Sequence, residues 1–166
     1  FNAPIYDGGF RFPSTGQLIP SADGMVNSFI AAGVAPGKLS VGLAFYGNIW
    51  THGAGTSTGG TLLPRQTWTT APTVTAIAYF DLMSSYYQTN LYHWDTAAQA
   101  AYLSITNPVA TNDMFISYDD EHTCQASAMV CWGGSEGAPA TPASSTPAPP
   151  PPAARPPSAK KAQVPG

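Results

Sequence analysis

Between Lys38 and Trp50, large apolar side chains alternate with small or polar ones. Leu39, Val41, Leu43 and Phe45 share one parity, and Ser40, Gly42 and Ala44 the other. A period of two over this length predicts a buried β-strand across 38–46, ending in an aromatic cluster and turn glycines. Tyr46 has the parity of Gly42 and Ala44. In a parallel barrel the bulky set would pack on helices and the small set would face the lumen. Tyr46 would then point inward at the C-terminal end of the strand, where barrel enzymes keep their sites. The plainer arrangement, a core strand whose tyrosine caps its edge, is the one the pattern by itself favours.

Upstream, Val26, Phe29 and Ile30 lie on one face of a short predicted helix. Ser21 or Asp23 can cap its start, Gly33 sits at its C-terminal cap, and Pro36 forbids continuation. Helix, short loop and strand make half of a βαβ repeat. Residues 1–20 hold Pro4, Pro13 and Pro20 among glycines and read as loop, with Phe1, Tyr6, Phe10 and Phe12 as a substrate rim or as pins to the surface.

Residues 51–72 are rich in Gly, Thr and Ser and read as an exposed excursion carrying Arg65 and Trp68. Tyr79, Leu82, Met83 and Tyr86 then fall at helical spacing, which predicts a helix over 74–88 with a buried stripe. Short strands are predicted at Leu91–Trp94, Ala101–Ile105 and Met114–Tyr118, with Asn107–Pro108 starting the last turn. Asp119, Asp120 and Glu121 suit the start of a short helix. The last 29 residues hold ten of the seventeen prolines and no aromatic residue, so 138–166 is expected to be a disordered linker or tail.

Composition narrows the classes. The net charge of -3 makes no phosphate backbone an obvious partner, so nucleic acid is not expected. No apolar run reaches the roughly 18 residues of a membrane helix, so no membrane partner is expected either. Cys124 and Cys131 offer neither a disulfide framework nor metal spacing and read as free thiols. His52 has no second ligand at metal spacing, so no metal or other cofactor is expected. The chain begins with Phe and carries nothing that reads as a signal peptide, so it is expected to be part of a longer polypeptide.

The segment Gly42-x-x-Phe45-Tyr46-Gly47 followed by Trp50 resembles the seventh barrel strand of family 18 glycoside hydrolases, the chitinases. Five further landmarks agree in order. Asn2–Tyr6 resembles the segment after that family's sixth strand, and Gly33–Lys38 the approach to its seventh. Ala78–Leu82, Trp94–Asp95 with Ala101–Tyr102, and Phe115–Asp120 resemble parts of its insertion domain. The resemblance covers about residues 1–125. It implies an α/β fold: the C-terminal portion of a partial TIM (β/α)8 barrel, with an α+β insertion and a disordered Pro-rich tail. The implied division is 1–51 barrel fragment, 52–118 insertion domain, 119–137 truncated barrel end and 138–166 tail.

The implied function is part of a chitinase-like hydrolase of β-1,4-linked N-acetylglucosamine polymers. In that family the substrate's own acetamide carbonyl attacks the anomeric carbon, a glutamic acid protonates the leaving oxygen, and a neighbouring aspartate orients the acetamide. Tyr46, Trp132, Phe45 and Trp50 are the expected sugar contacts, with Trp68 and Trp94 as further stacking candidates, since the apolar face of a pyranose suits an aromatic ring. The expected partners are chitin or N-acetylglucosamine oligosaccharides, the parent is expected to be secreted, and a monomer is expected.

Three departures bear on activity. The family's acidic run, Asp-x-x-Asp-x-Asp-x-Glu, occurs nowhere in the chain, and the resemblance starts after strand six, which leaves out that strand's Tyr-Asp pair, so no catalytic residue is assigned and the chain alone is expected to be inactive. Asn48 stands where many members carry Arg. Only six residues separate Gln125 from Trp132, too few for a barrel crossover into a last strand at Ala128–Trp132. A deletion or a lost reading frame near Ser127 would account for this. The alternatives are a non-catalytic chitin-binding lectin, an inactive translation of a damaged gene, and an unrelated surface protein with a Pro-rich spacer.

Overall fold

The structure, a computed structural model, describes residues 1–132, with side chains through Ser127. The expectation for the Pro-rich tail, 138–166, lies outside the described residues. In chain order the elements are α1 (Ala22–Ala31), β1 (Tyr46–Thr51), β2 (Thr73–Ala78), α2 (Tyr79–Ser85), β3 (Tyr92–Asp95), β4 (Ala100–Ile105), β5 (Met114–Tyr118) and α3 (Glu121–Trp132), with single 3-10 turns at 36–38, 89–91 and 110–112. The five strands form one sheet of order β2-β1-β5-β4-β3, and every pairing is antiparallel.

The helix α1 forms as its sequence dictates. The Ser21 Oγ accepts the Gly24 N–H at 3.2 Å, and Gly33, at φ +92°, closes the C-terminus. The amides of Gly33 and Val34 turn back onto the carbonyls of Ile30 and Phe29, a left-handed cap that a residue with a Cβ adopts only at a cost.

The core lies between one face of the sheet and α2. Ile49, Ile116 and Leu103 stand opposite one another across β1, β5 and β4, with Gly47, Tyr118 and Ala101 in the next row. Leu82 of α2 is fully buried on them, and Tyr79, Met83 and Tyr86 flank it, so the expected helical stripe is the packing face. Each such buried aliphatic side chain is worth about 1.5–3 kcal/mol. Gly47 permits the close approach. A Cβ there would stand 2.8 Å from Leu82 Cδ1 and 2.9 Å from the Ser117 carbonyl oxygen.

Three local expectations change. The strand expected at 38–46 is not formed over Leu39–Phe45, and β1 begins at Tyr46. Phe45 is 76% exposed and Leu43 45%. A strand needs a neighbour for its N–H and C=O groups. Residues 46–51 have β2 on one side and 47–50 have β5 on the other, whereas no strand among the described residues pairs with 39–45. The helix expected over 74–88 begins only at Tyr79. Thr73, Val74, Thr75 and Ile77 are β-branched, and they pair with β1 instead.

The last strand expected at Ala128–Trp132 is helical, as the end of α3. The Asp120 Oδ1 accepts the Thr123 N–H at 2.8 Å and the Thr123 hydroxyl at 3.0 Å, which starts that helix as its acidic residues suggested.

Candidate functional site

On the second face of the sheet, aromatic side chains form a continuous row. Trp50 lies 5.4 Å from Phe115, Phe115 lies 5.4 Å from Tyr102, and Tyr102 stacks on His93 at 5.1 Å. Phe1 meets both Tyr102 and Phe115 edge-on. The row follows from alternation: Asn48 and Trp50 point away from the α2 face to which Gly47 and Ile49 belong.

Two long loops rise over this row. The first is 1–20. Its start is tied to the sheet by the Asn2 N–H, which donates to Ser117 Oγ at 2.8 Å, and by Asn48 Nδ2, which donates to Asn2 Oδ1 at 2.6 Å. Further on, the amides of Ile5 and Tyr6 both donate to the Ala98 carbonyl. Its tip is a small hairpin in which Arg11 pairs with Leu18.

The second loop is 52–72. Gln66 organises it: its Oε1 accepts the amides of Leu62 and Leu63 at 3.0 and 2.9 Å, and its Nε2 donates to Thr58 Oγ1 at 2.8 Å. Ser104 of β4 fastens it by donating to the Leu62 carbonyl at 2.6 Å.

Arg65 joins the two loops to the sheet. It has φ +60°, and its guanidinium lies 3.9 Å from the centre of the Phe10 ring and 5.5 Å from that of Phe1. It pairs with Asp95 Oδ2, while Asp95 Oδ1 accepts the amides of Ala97 and Ala98 at 3.1 and 2.8 Å.

Between the two loops and the sheet lies a cleft of about 920 Å³. Its aromatic walls are Phe10, Phe12, Trp50, Trp68 and Phe115, and its charged lining is Arg11 and Arg65. Among the described residues no carboxylate lines it. Thr61, at its border, has a buried hydroxyl without a hydrogen-bond partner. Aromatic faces, guanidinium and amide donors and hydroxyls suit a neutral, polyhydroxylated ligand that offers an apolar face and many acceptors. Among the described residues no group of three or more His, Cys, Asp or Glu side chains could hold a metal ion, and no helix is long and apolar enough to cross a membrane.

The expected contact residues separate in space. Trp50 lines the cleft, as do Trp68, Phe1, Phe10 and Phe12. Phe45 and Tyr46 stand outside it, where β1 begins, and Tyr46 is 49% exposed. Trp94 packs against the core and lies 5.9 Å from the His122 ring. The Trp132 side chain lies outside the described ones. The pair of Arg65 and Asp95 was not legible in the chain: thirty residues separate them, and no local pattern couples them.

A second polar group lies where β5 meets α3. The Tyr92 hydroxyl donates to Asp120 Oδ2 at 2.9 Å, and burial, with the Asp120 charge beside it, raises the Tyr92 phenol. The Tyr118 hydroxyl is buried without a partner, and burial raises it too. Burial pushes Asp119 up to about 6, against the backbone N–H of Ala44, which favours the carboxylate, and with the charge of Asp120, which does not. This places a carboxyl that titrates near neutrality beside the approach to Phe45 and Tyr46.

The model of glycosyl hydrolases family 18 matches residues 1–132. Among solved structures, chitinase ChiW from Paenibacillus sp. str. FPU-7, a bacterial cell-surface-expressed multi-modular enzyme, is similar at 30% identity with a TM-score of 0.52. The alignment covers 78% of this chain and 11% of that one, so the chain spans about a tenth of its neighbour's length. No curated protein matches the chain.

Proposed function

The chain belongs to glycosyl hydrolases family 18, and from that membership we propose that it is the part of a chitinase-like hydrolase that forms one wall of the substrate cleft and supplies sugar contacts. The substrate is β-1,4-linked N-acetylglucosamine, and the acid that protonates the leaving oxygen is carried elsewhere in the parent polypeptide. The observation that carries this reading is the cleft itself, whose Trp50, Trp68, Phe10 and Phe12 offer stacking surfaces between two loops pinned to a rigid sheet. Stacked aromatic rings hold a pyranose by its apolar face and leave its hydroxyls to polar neighbours.

The rest of the parent accounts for the exposed apolar stretch. Leu43 and Phe45 are exposed in a segment that no described strand pairs with, and a groove of about 330 Å³ lies between that segment and α1, lined by Met25, Phe29, Leu39 and Val41. In our reading these side chains pack on the remaining strands and helices of a (β/α)8 barrel, and Tyr46 then points toward the bound sugar. The parent works outside the cell, in keeping with the cell-surface chitinase that the chain resembles, and its sugar site needs no second copy in this reading.

The test is a titration of the purified chain with N-acetylglucosamine oligosaccharides, read by tryptophan fluorescence. Trp50 and Trp68 should report binding that saturates. A flat titration at millimolar sugar, with the fold intact, would refute the reading. One observation favours a second reading, a non-catalytic chitin-binding protein: no carboxylate lines the cleft among the described residues. The coding sequence upstream separates the two, since a glutamate at the end of the family's acidic run means an enzyme and its replacement a lectin.

A further inference from the structure

We propose that the cleft discriminates against cationic sugars, with Arg65 and Arg11 as the residues that set this specificity. The inference rests on the sugar-binding reading above and deepens it. The lining carries two guanidinium groups and no carboxylate among the described residues. The acids in neighbouring segments lie outside the lining. Asp95 pairs with Arg65 through one oxygen and holds the amides of Ala97 and Ala98 with the other. Asp7 accepts the amide of Gly9, and Asp113, almost fully buried, accepts that of Asn107. One net positive charge is left facing the cleft after Asp95 is set against Arg65.

Both guanidinium groups are held in place, although Asp95 offsets the charge of Arg65. The Arg65 guanidinium is stacked over Phe10 at 3.9 Å, and its side chain is only 25% exposed, so solvent and salt screen it less than a free surface arginine. Arg11 is steadied by donating to the Gly16 carbonyl at 2.8 Å. An N-acetylated sugar is uncharged and meets these groups without penalty. Its deacetylated counterpart carries an ammonium on each unit, and like charges a few ångströms apart at a protein surface weaken binding several-fold.

The experiment titrates the full chain with three β-1,4-linked oligosaccharides of equal length, built from N-acetylglucosamine, glucose or glucosamine. The glucose oligomer is neutral and lacks the acetamide, so it separates charge from lost acetamide contacts. At low ionic strength the glucosamine oligomer should bind several-fold more weakly than the glucose oligomer. Added salt should close that gap, and so should the Arg11→Gln, Arg65→Gln double variant, while Arg65→Lys should keep it.

Equal binding of the glucose and glucosamine oligomers, or a gap unchanged in the double variant, would overturn the proposal and leave the sugar site standing. Binding of the N-acetylated oligomer alone would also overturn it, because acetamide contacts and not charge would then set the preference. Failure of all three to bind would remove the sugar site and this inference together. Should Arg65→Gln lose its melting transition, Arg11→Gln alone, on the loop tip, decides by the salt dependence of the gap.

Discussion

Gly47 lies directly beneath Leu82. A Cβ on Gly47 would come within 2.8 Å of Leu82 Cδ1 and 2.9 Å of the Ser117 backbone oxygen. The leucine could shift, but the carbonyl belongs to the sheet and cannot. Gly47→Ala should therefore cost about 1–3 kcal/mol through overpacking, measured as a lowered urea midpoint. Unchanged stability would mean that α2 sits farther from the sheet.

Asp95→Ala should destabilise the chain more than Asp95→Asn. The amide keeps an oxygen for the Ala97 and Ala98 N–H groups, whereas alanine leaves both of them and Arg65 without their acceptor. Hydrogen bonds to charged groups contribute about 1.5–3 kcal/mol, so Asp95→Ala should lose on the order of 2 kcal/mol. Protease cleavage in 52–72 should also quicken, since Arg65 ties that loop down. Equal thermal midpoints for the two variants would contradict this.

Asp119 predicts a slope in the pH dependence of stability. Burial raises its carboxyl from 3.8 to about 6 in the folded protein, so the fold favours the protonated form. Its contribution is fully present below pH 3.8 and is lost as pH rises through about 6. Other carboxylates add slopes of their own, so the measurement is a difference. The stability of Asp119→Asn minus that of the parent chain should grow between those two values and then level off. A difference that stays flat across this window would show that Asp119 is not desolvated.

Trp68 is 51% exposed at the cleft, so Trp68→Ala should leave the melting temperature nearly unchanged. If the cleft stacks a sugar ring, the same substitution should weaken binding of N-acetylglucosamine oligosaccharides about tenfold, near 1.4 kcal/mol. Trp50→Ala should weaken binding and lower stability together, because Trp50 also packs on Phe115. Undiminished affinity in both variants would move the sugar elsewhere.

Among the described residues, limited proteolysis should cut first within 39–45. No described strand pairs with this segment and Ser40, Gly42, Leu43 and Phe45 are exposed, and such backbone opens at little cost. The surviving core should run from Tyr46 into α3. First cleavage within β4 or β5 would contradict the placement of the core.

Local chemistry determined much of this protein before any fold was considered. The cap of Ser21 and the glycine at 33 define α1, short apolar runs at 91–94, 101–105 and 114–118 mark β3, β4 and β5, and the 3.6-residue stripe of Tyr79, Leu82, Met83 and Tyr86 defines the buried face of α2. The six ordered landmarks led to the family that matches the chain. In each case the determining groups lie within one or two turns, or one strand, of each other.

Tertiary structure decided what depends on partners far away in the chain. Leu39–Phe45 has the alternation of a strand, but alternation supplies no hydrogen-bond partner, so the strand starts at Tyr46, where β2 and β5 flank it. Thr73–Ala78 became a strand because β1 offered it an edge. The cleft exists because Asn2 meets Ser117 and Arg65 meets Asp95, pairs separated by 115 and 30 residues. Side-chain periodicity records which face of an element is apolar. It does not record which other element will lie against that face, since loop closure, pairing and packing settle that together.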